Sequence, residues 1–189
     1  MSQIRTTKVR VKSARGRKTS STRWLQRQLN DPFVAQAKAE GYRSRAVYKL
    51  IELDQKFKLL KPGLKVLDLG AAPGSWTEYV VSKKCQVTAI DLLTMDLLDG
   101  VKIIEGDFTD PSIFTDITTT DGGQMFDLIL SDMAPNTTGH HNTDHLRIMM
   151  LCEEVFAFAE QHLKLGGSVL IKIFQGGTET ELLNKIKKQ

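Results

Sequence analysis

The segment VLDLGAAPGSW, residues 66–76, restricts the fold more than any other part of the 189-residue chain. An apolar run ends in Gly70-Ala71-Ala72-Pro73-Gly74, and a helical pattern begins near Trp76. A buried strand that passes through small residues into a helix lets backbone amides and the positive helix N-terminus approach a ligand closely, because no side chain stands in the way. The turn therefore predicts a nucleotide-type pocket at the carboxyl end of a first strand. It lacks the middle glycine of the G-x-G-x-x-G pyrophosphate cradle, which argues against NAD.

Around the turn, short apolar runs alternate with helical stretches, the pattern of an α/β domain with a mostly parallel sheet and helices on both faces. Strands are predicted at 65–69, 86–90, 101–104, 126–131 and 168–173, and helices at 76–83, 111–117, 144–162 and 179–188. Within 144–162, Leu146, Met149, Met150, Val155 and Phe156 recur with Leu163 at helical intervals and read as core, with Gly166-Gly167 ending the pattern. Two helices are expected ahead of the turn. One, 32–40, has Asp31 as N-cap and Pro32 at its first position. The other, 44–57, carries Ala46, Leu50, Leu53 and Phe57 on one face and is ended by Pro62-Gly63.

The length holds one domain with a core of its own and leaves no room for a second. With 41% hydrophobic and 25% charged residues, and no apolar run near the ~18 residues of a membrane span, a soluble chain is expected, without a membrane partner. Cys85 and Cys152 have neither C-x-x-C spacing nor metal-ligand neighbours, so two reduced thiols and no metal are expected.

Three carboxylates follow three successive strands beyond the glycine turn. Asp91 closes the second strand, seventeen residues past Gly74, where a carboxylate can accept both hydroxyls of a ribose. Asp107 follows the third strand in EGDF, placed to accept from an adenine amino group, and Asp132 ends the fourth in LILSDMAP. Singly, each reads as a cap or a solvated loop residue. Together they mark the carboxyl edge at which open α/β sheets bind ligands.

The net charge of +4 conceals an asymmetry. Residues 1–30 carry nine Lys and Arg and no acid, leaving 17 basic against 22 acidic residues in the rest. A basic arm on a mildly acidic body is the footprint of a polyanion binder, nucleic acid first, because neutralised phosphates release counterions. A solvated tail without a partner is the plain alternative. An Arg- and Ser/Thr-rich, acid-poor start is also the composition of a mitochondrial transit peptide, but its early half lacks an apolar helical face. A cytoplasmic location is expected, with the mitochondrion as alternative.

From about Trp24 to Gln189 the chain resembles the FtsJ/RrmJ family of RNA ribose 2′-O-methyltransferases, through GYRSRAVYKL, LDLGAAPGSW, DLLTMD, EGDF, SDMAPNTTG and GGSVLIKIFQG, in order and at the expected intervals. The resemblance implies a Rossmann-like methyltransferase domain over 31–189 behind a flexible RNA-binding arm, 1–30. It implies S-adenosylmethionine as cofactor, with contacts from Gly74, Trp76, Asp91, Asp107 and Asp132, and a catalytic set of Lys172, Asp132 and Lys49. It further implies ribosomal RNA of the large subunit, at a uridine, as substrate, with a monomer expected. A tRNA methyltransferase and a non-catalytic ribosome-assembly factor are the alternatives.

The residue chemistry agrees with this assignment. In-line methyl transfer to a hydroxyl needs aligned atoms and a base. Lys172 ends the apolar run SVLIK, where desolvation depresses an ammonium pKa, while Asp132 orients the amine. Lys49 stands among Tyr42, Arg43, Arg45 and Tyr48, a mixture of cations and aromatics suited to RNA phosphates and stacking. Asp132-Met133-Ala134-Pro135 lacks the Pro-Pro-aromatic signature with which amino-group methyltransferases hold a flat base, so an oxygen target fits better. His140, His141, His145 and His162 read as structural or RNA-adjacent. The family pattern continues past ELLNKIKKQ with two further strands and a fourth catalytic residue, a glutamate. Glu179 and Glu181 fall in the wrong element for that role, and an incomplete C-terminus is expected.

Overall fold

The computed structural model describes residues 9–11, 16, 19–113, 125–134, 138–173 and 184. In chain order the elements are α1 (Thr19–Leu29), α2 (Pro32–Glu40), α3 (Val47–Phe57), β1 (Lys65–Leu69), α4 (Ser75–Ser82), β2 (Gln86–Asp91), β3 (Val101–Glu105), β4 (Phe126–Ser131), α5 (His141–His162) and β5 (Leu163–Ile171). The strands form one parallel sheet in the order β3-β2-β1-β4-β5. Building runs outward from β1 to β2 and β3, then restarts on its other side with β4 and β5. The carboxyl ends of β1 and β4 thus flank a topological switch point, where such sheets open a crevice.

The period-two alternation of the strands sorts side chains into two layers. Val66, Leu128 and Leu130 pack with Val47, Leu50, Trp76 and Val80 on the α3/α4 face. Leu67, Leu69 and Ile129 pack with Val155 and Ala159 of α5 on the other. Val66, Leu67, Leu69 and Ile129 are all fully buried, each worth roughly 1.5–3 kcal/mol relative to exposure. That burial on both faces is why the strands read as apolar runs.

Local signals hold where the chain satisfies its own backbone. Asp31 accepts from Phe33 N at 2.9 Å and caps α2, which starts at Pro32 as expected and ends at Gly41 with φ +82°. Strands 65–69 and 126–131 fall at the predicted bounds, while β2 and β3 each run one residue further and α4 begins and ends one residue earlier.

Several expectations are corrected. Residues 19–29 form α1, so the basic arm is helical over that part. The helix predicted from 44 starts only at Val47, because Ser44 Oγ lies 2.8 Å from Ser75 Oγ and Arg43 and Ala46 are likewise committed to contacts with Glu78 and Trp76 of α4. On α3 the buried face includes Asp54, whereas Phe57 is exposed: Asp54 accepts from Leu60 N at 2.9 Å and Tyr79 Oη at 3.0 Å. Helix α5 starts three residues before 144 and ends at His162, four residues ahead of Gly166, and its Leu146 and Met150 face solvent. Gly166-Gly167 lies within β5. Phe126 pairs with Leu163 but Leu128 with Ser168, so β5 bulges between them and its strand begins earlier than 168 and ends at Ile171. The predicted helix 111–117 is described only to residue 113, and 179–188, with Glu179 and Glu181, lies outside the described residues apart from Asn184. Cys85 and Cys152 are buried and form no disulfide. No described helix is long and apolar enough to cross a membrane.

Candidate active site

Two glycines shape the crevice. Gly70 sits at φ +74°, and a Cβ there would meet the Met133 side chain and come within 3.1 Å of Met133 Cα. The loop leaving β4 therefore crosses directly over the end of β1. Gly74, the N-cap of α4, has φ +103°, and a Cβ would lie 2.8 Å from Met95 Sδ and 2.9 Å from Arg43 Nη1. At both positions a larger residue is barred by backbone conformation and by space.

Asp91 builds the wall opposite. Its Oδ2 accepts from Ala72 N and its Oδ1 from Leu93 N, each at 2.8 Å, tying the glycine turn to the loop after β2. Asp107 is exposed, and its Oδ1 accepts from Thr109 N at 2.9 Å and Thr109 Oγ1 at 2.7 Å. Between these carboxylates lies a cavity of about 620 Å³, floored by Gly70 and Ala72 and walled by Ile90, Leu92, Leu93, Phe108, Met133 and Leu151. Its volume is in the ~300–1,000 Å³ range of small-molecule sites. Apolar walls suit a flat heterocycle, and carboxylates at the rim suit hydroxyl and amino donors or a cation.

At the next strand end, Lys172 Nζ is ion-paired with Asp132 Oδ1. Lys172 N donates to Ser131 O at 2.9 Å, extending the β4–β5 ladder by one residue. The Lys172 backbone is thereby tied to the end of β4, next to Asp132. Burial lowers the Lys172 pKa from its ordinary value. Met133, the residue after Asp132, lines the cavity, whereas neither Asp132 nor Lys172 does.

The other expected site residues lie elsewhere. Lys49 is on the exposed side of α3, with its Nζ 3.1 Å from Glu52 Oε2. Trp76 is buried between α4 and α3, its indole N–H donating to Ala46 O at 2.8 Å, and neither it nor Gly74 lines the cavity. Arg43, read from sequence as facing RNA, is turned inward instead. Its guanidinium pairs with Glu78 at 2.8 Å and donates to Pro73 O and Asp96 O at 3.0 Å and Leu97 O at 3.3 Å. His145 is buried, and His162 stacks on Phe158 with its pKa lowered by burial. Among the described residues no group of three His, Cys, Asp or Glu is arranged to hold a metal.

Asp68 was not singled out in sequence, though a carboxylate inside the apolar run VLDL was the signal. It is fully buried and accepts from Thr77 Oγ1 of α4 at 2.6 Å, and Oδ1 has no hydrogen-bond partner among the described residues. Burial pushes its pKa from 3.8 up to about 6, opposed by the Thr77 hydrogen bond and assisted by the nearby Asp91 charge. Leu151 and Glu154 of α5, which complete the pocket, carried no such signal.

Comparison with known proteins places these features in one group. The FtsJ-like methyltransferase family matches residues 42–189. The chain is 54% identical over 179 residues to a ribosomal RNA large subunit methyltransferase E of Maricaulis maris, covering 94% of this chain and 64% of the relative. It is 52% identical over 182 residues to the protein of the same name from Acidiphilium cryptum, covering 96% of this chain and 80% of that one. The chain thus spans about two thirds to four fifths of the length of these relatives. A crystal structure described as that of a ribosomal RNA methyltransferase from Plasmodium falciparum superposes with a TM-score of 0.71 at 32% identity, covering 78% of this chain and 86% of that one.

Proposed function

The chain belongs to the FtsJ-like methyltransferase family, and from that premise we propose that it transfers a methyl group from S-adenosylmethionine to a ribose 2′-oxygen of large-subunit ribosomal RNA, as a cytoplasmic monomer. The observation that carries this reading is the Lys172–Asp132 pair, formed one residue past β5 and β4, next in sequence to the Met133 that lines a nucleoside-sized pocket.

The pocket's donor set fits the cofactor. Asp91 has two oxygens with lone pairs left beyond those given to Ala72 N and Leu93 N, and so accepts from a ribose diol. Asp107 would accept from an adenine amino group, and Ile90, Leu92, Phe108 and Leu151 would line the ring's apolar faces. Gly74 and Trp76 act at the turn itself, Gly74 by keeping the approach open and Trp76 by seating α4 against Ala46. When bound, S-adenosylmethionine supplies an electrophilic methyl on a positively charged sulfur.

The chain's own residues handle the proton. Lys172 in its neutral form would take the proton from the 2′-hydroxyl that receives the methyl group. Burial favours that neutral form relative to a solvated lysine, while the Asp132 carboxylate opposes it and orients the amine. Lys49, exposed on α3 and paired with Glu52 among the described residues, would hold an RNA phosphate or ribose. The basic N-terminus supplies the remaining attraction to RNA.

The test is transfer of labelled methyl to undermodified large ribosomal subunits, comparing wild type with Lys172→Ala. Wild type is expected to label the RNA. The variant is expected to lose at least about a hundredfold in rate, the low end of a general base's contribution, with S-adenosylmethionine affinity within threefold. Equal loss of binding and rate would make Lys172 structural.

A further inference from the structure

A second groove lies on the N-terminal helices, remote in sequence from the carboxyl edge. Its lining includes Arg10, Arg27, Arg45, Gln26, Asn30 and Phe33. Residues 9–11 run alongside α1, fixed through their backbone. Val9 N donates to Asn30 Oδ1 at 2.9 Å and Val11 N to Gln26 Oε1 at 3.1 Å, while Asn30 Nδ2 donates back to Val9 O at 2.9 Å. Gln26 and Asn30, one helical turn apart, thus hold an extended segment in register, and the Arg10 side chain is placed in the groove. This ordering of part of the basic N-terminus was not visible in composition.

The groove has the chemistry of a single-stranded nucleic-acid subsite. Three arginines line it against one acid, Asp31, which is paired with Arg45. Arg10 and Arg27 are exposed and have no ion-pair partner among the described residues. Phe33 is 54% exposed on α2. Its ring lies 5.8 Å from Tyr48, which packs edge-on against Tyr42 at 6.1 Å, so a run of aromatic rings leads from the groove to α3 and to Lys49, the residue after Tyr48. Cations that track a backbone beside an aromatic that stacks a base are how single strands are held without sequence readout. A duplex offers no free base face to Phe33.

We propose that this groove binds single-stranded nucleotides flanking the target ribose, with phosphates on Arg10 and Arg27 and an unstacked base on Phe33. The proposal rests on the reading that RNA is the substrate, and it adds where the strand runs and why an unpaired segment is required.

Binding of this 189-residue chain to a single-stranded RNA oligonucleotide, to the same sequence as a duplex, and to polyglutamate tests it, using wild type, Phe33→Ala, Phe33→Tyr and Arg10→Gln/Arg27→Gln. All four substitutions are at exposed positions, and unchanged melting curves check that the fold is kept. Phe33→Ala is expected to weaken single-strand binding at least about fivefold, with Phe33→Tyr restoring it and duplex binding unmoved. The double arginine variant is expected to flatten the salt dependence of single-strand binding by about 1.4 in log–log slope, ~0.7 per phosphate. Equal losses for single strand, duplex and polyglutamate would overturn the subsite in favour of unspecific polyanion attraction, and wild-type affinity in all variants would also overturn it. Failure of wild type to transfer methyl groups while these effects persist would count against the proposed activity and not against the groove.

Discussion

In the proposed activity Lys172 and Asp91 serve its two halves, and their surroundings predict different failures. The reactive form of Lys172 is neutral, and burial lowers its pKa from 10.5. The single-turnover rate is therefore expected to rise with pH along a titration whose midpoint lies below that of a solvated lysine. A rate independent of pH between 6 and 10 would remove Lys172 as the base. Asp91 is expected to dominate cofactor affinity over Asp107, since it is partly buried and braced by two backbone amides while Asp107 is exposed. By calorimetry Asp91→Asn should weaken S-adenosylmethionine binding at least about tenfold, in keeping with the ~1.5–3 kcal/mol of a charged hydrogen bond, and Asp107→Asn less. The reverse order would exchange their roles.

At the scale of elements, the β1–α4 unit joins the pocket to the core through the Asp68–Thr77 contact. Asp68 binds its proton more tightly in the folded chain, at about 6 against 3.8. Its contribution to stability is therefore lost as pH rises from about 4 to about 6 and stays lost above, a total of roughly 3 kcal/mol. Asp68→Asn mimics the protonated form and keeps an acceptor for Thr77. Its melting temperature relative to wild type is expected to rise by roughly 2–4 °C between pH 5 and pH 8, for about 1 kcal/mol over that interval. A difference that stays constant with pH would mean Asp68 is ionised throughout.

This unit also shows what the sequence made legible. The five strands and the glycine turn were readable because burial on both faces leaves apolar runs, and φ above zero beside Met133 leaves glycine. The carboxylates at strand ends were readable because a parallel sheet places them all on one edge. Arg43 was not, since a guanidinium serving three carbonyls and Glu78 has the same local pattern as one facing RNA. The early start of β5 was hidden because its bulge depends on pairing with Phe126 and Leu128, far away in the chain. Leu151 and Glu154 reach the pocket only through the packing of α5, which no local pattern encodes.

Across the whole molecule, the proposals give two surfaces separate tasks. The carboxyl edge of the sheet, with its nucleoside-sized pocket, would take the cofactor, and the cations and aromatics of α1 to α3 would take the strand that brings the ribose. The central claim, methylation of a 2′-oxygen in large-subunit ribosomal RNA, is tested most directly by mapping 2′-O-methyl groups in ribosomal RNA from cells that lack this protein. One site in the large-subunit RNA is expected to lose its methyl group, to regain it with the wild-type gene and to stay bare with Lys172→Ala. An unchanged map, or restoration by the Lys172 variant, would contradict it.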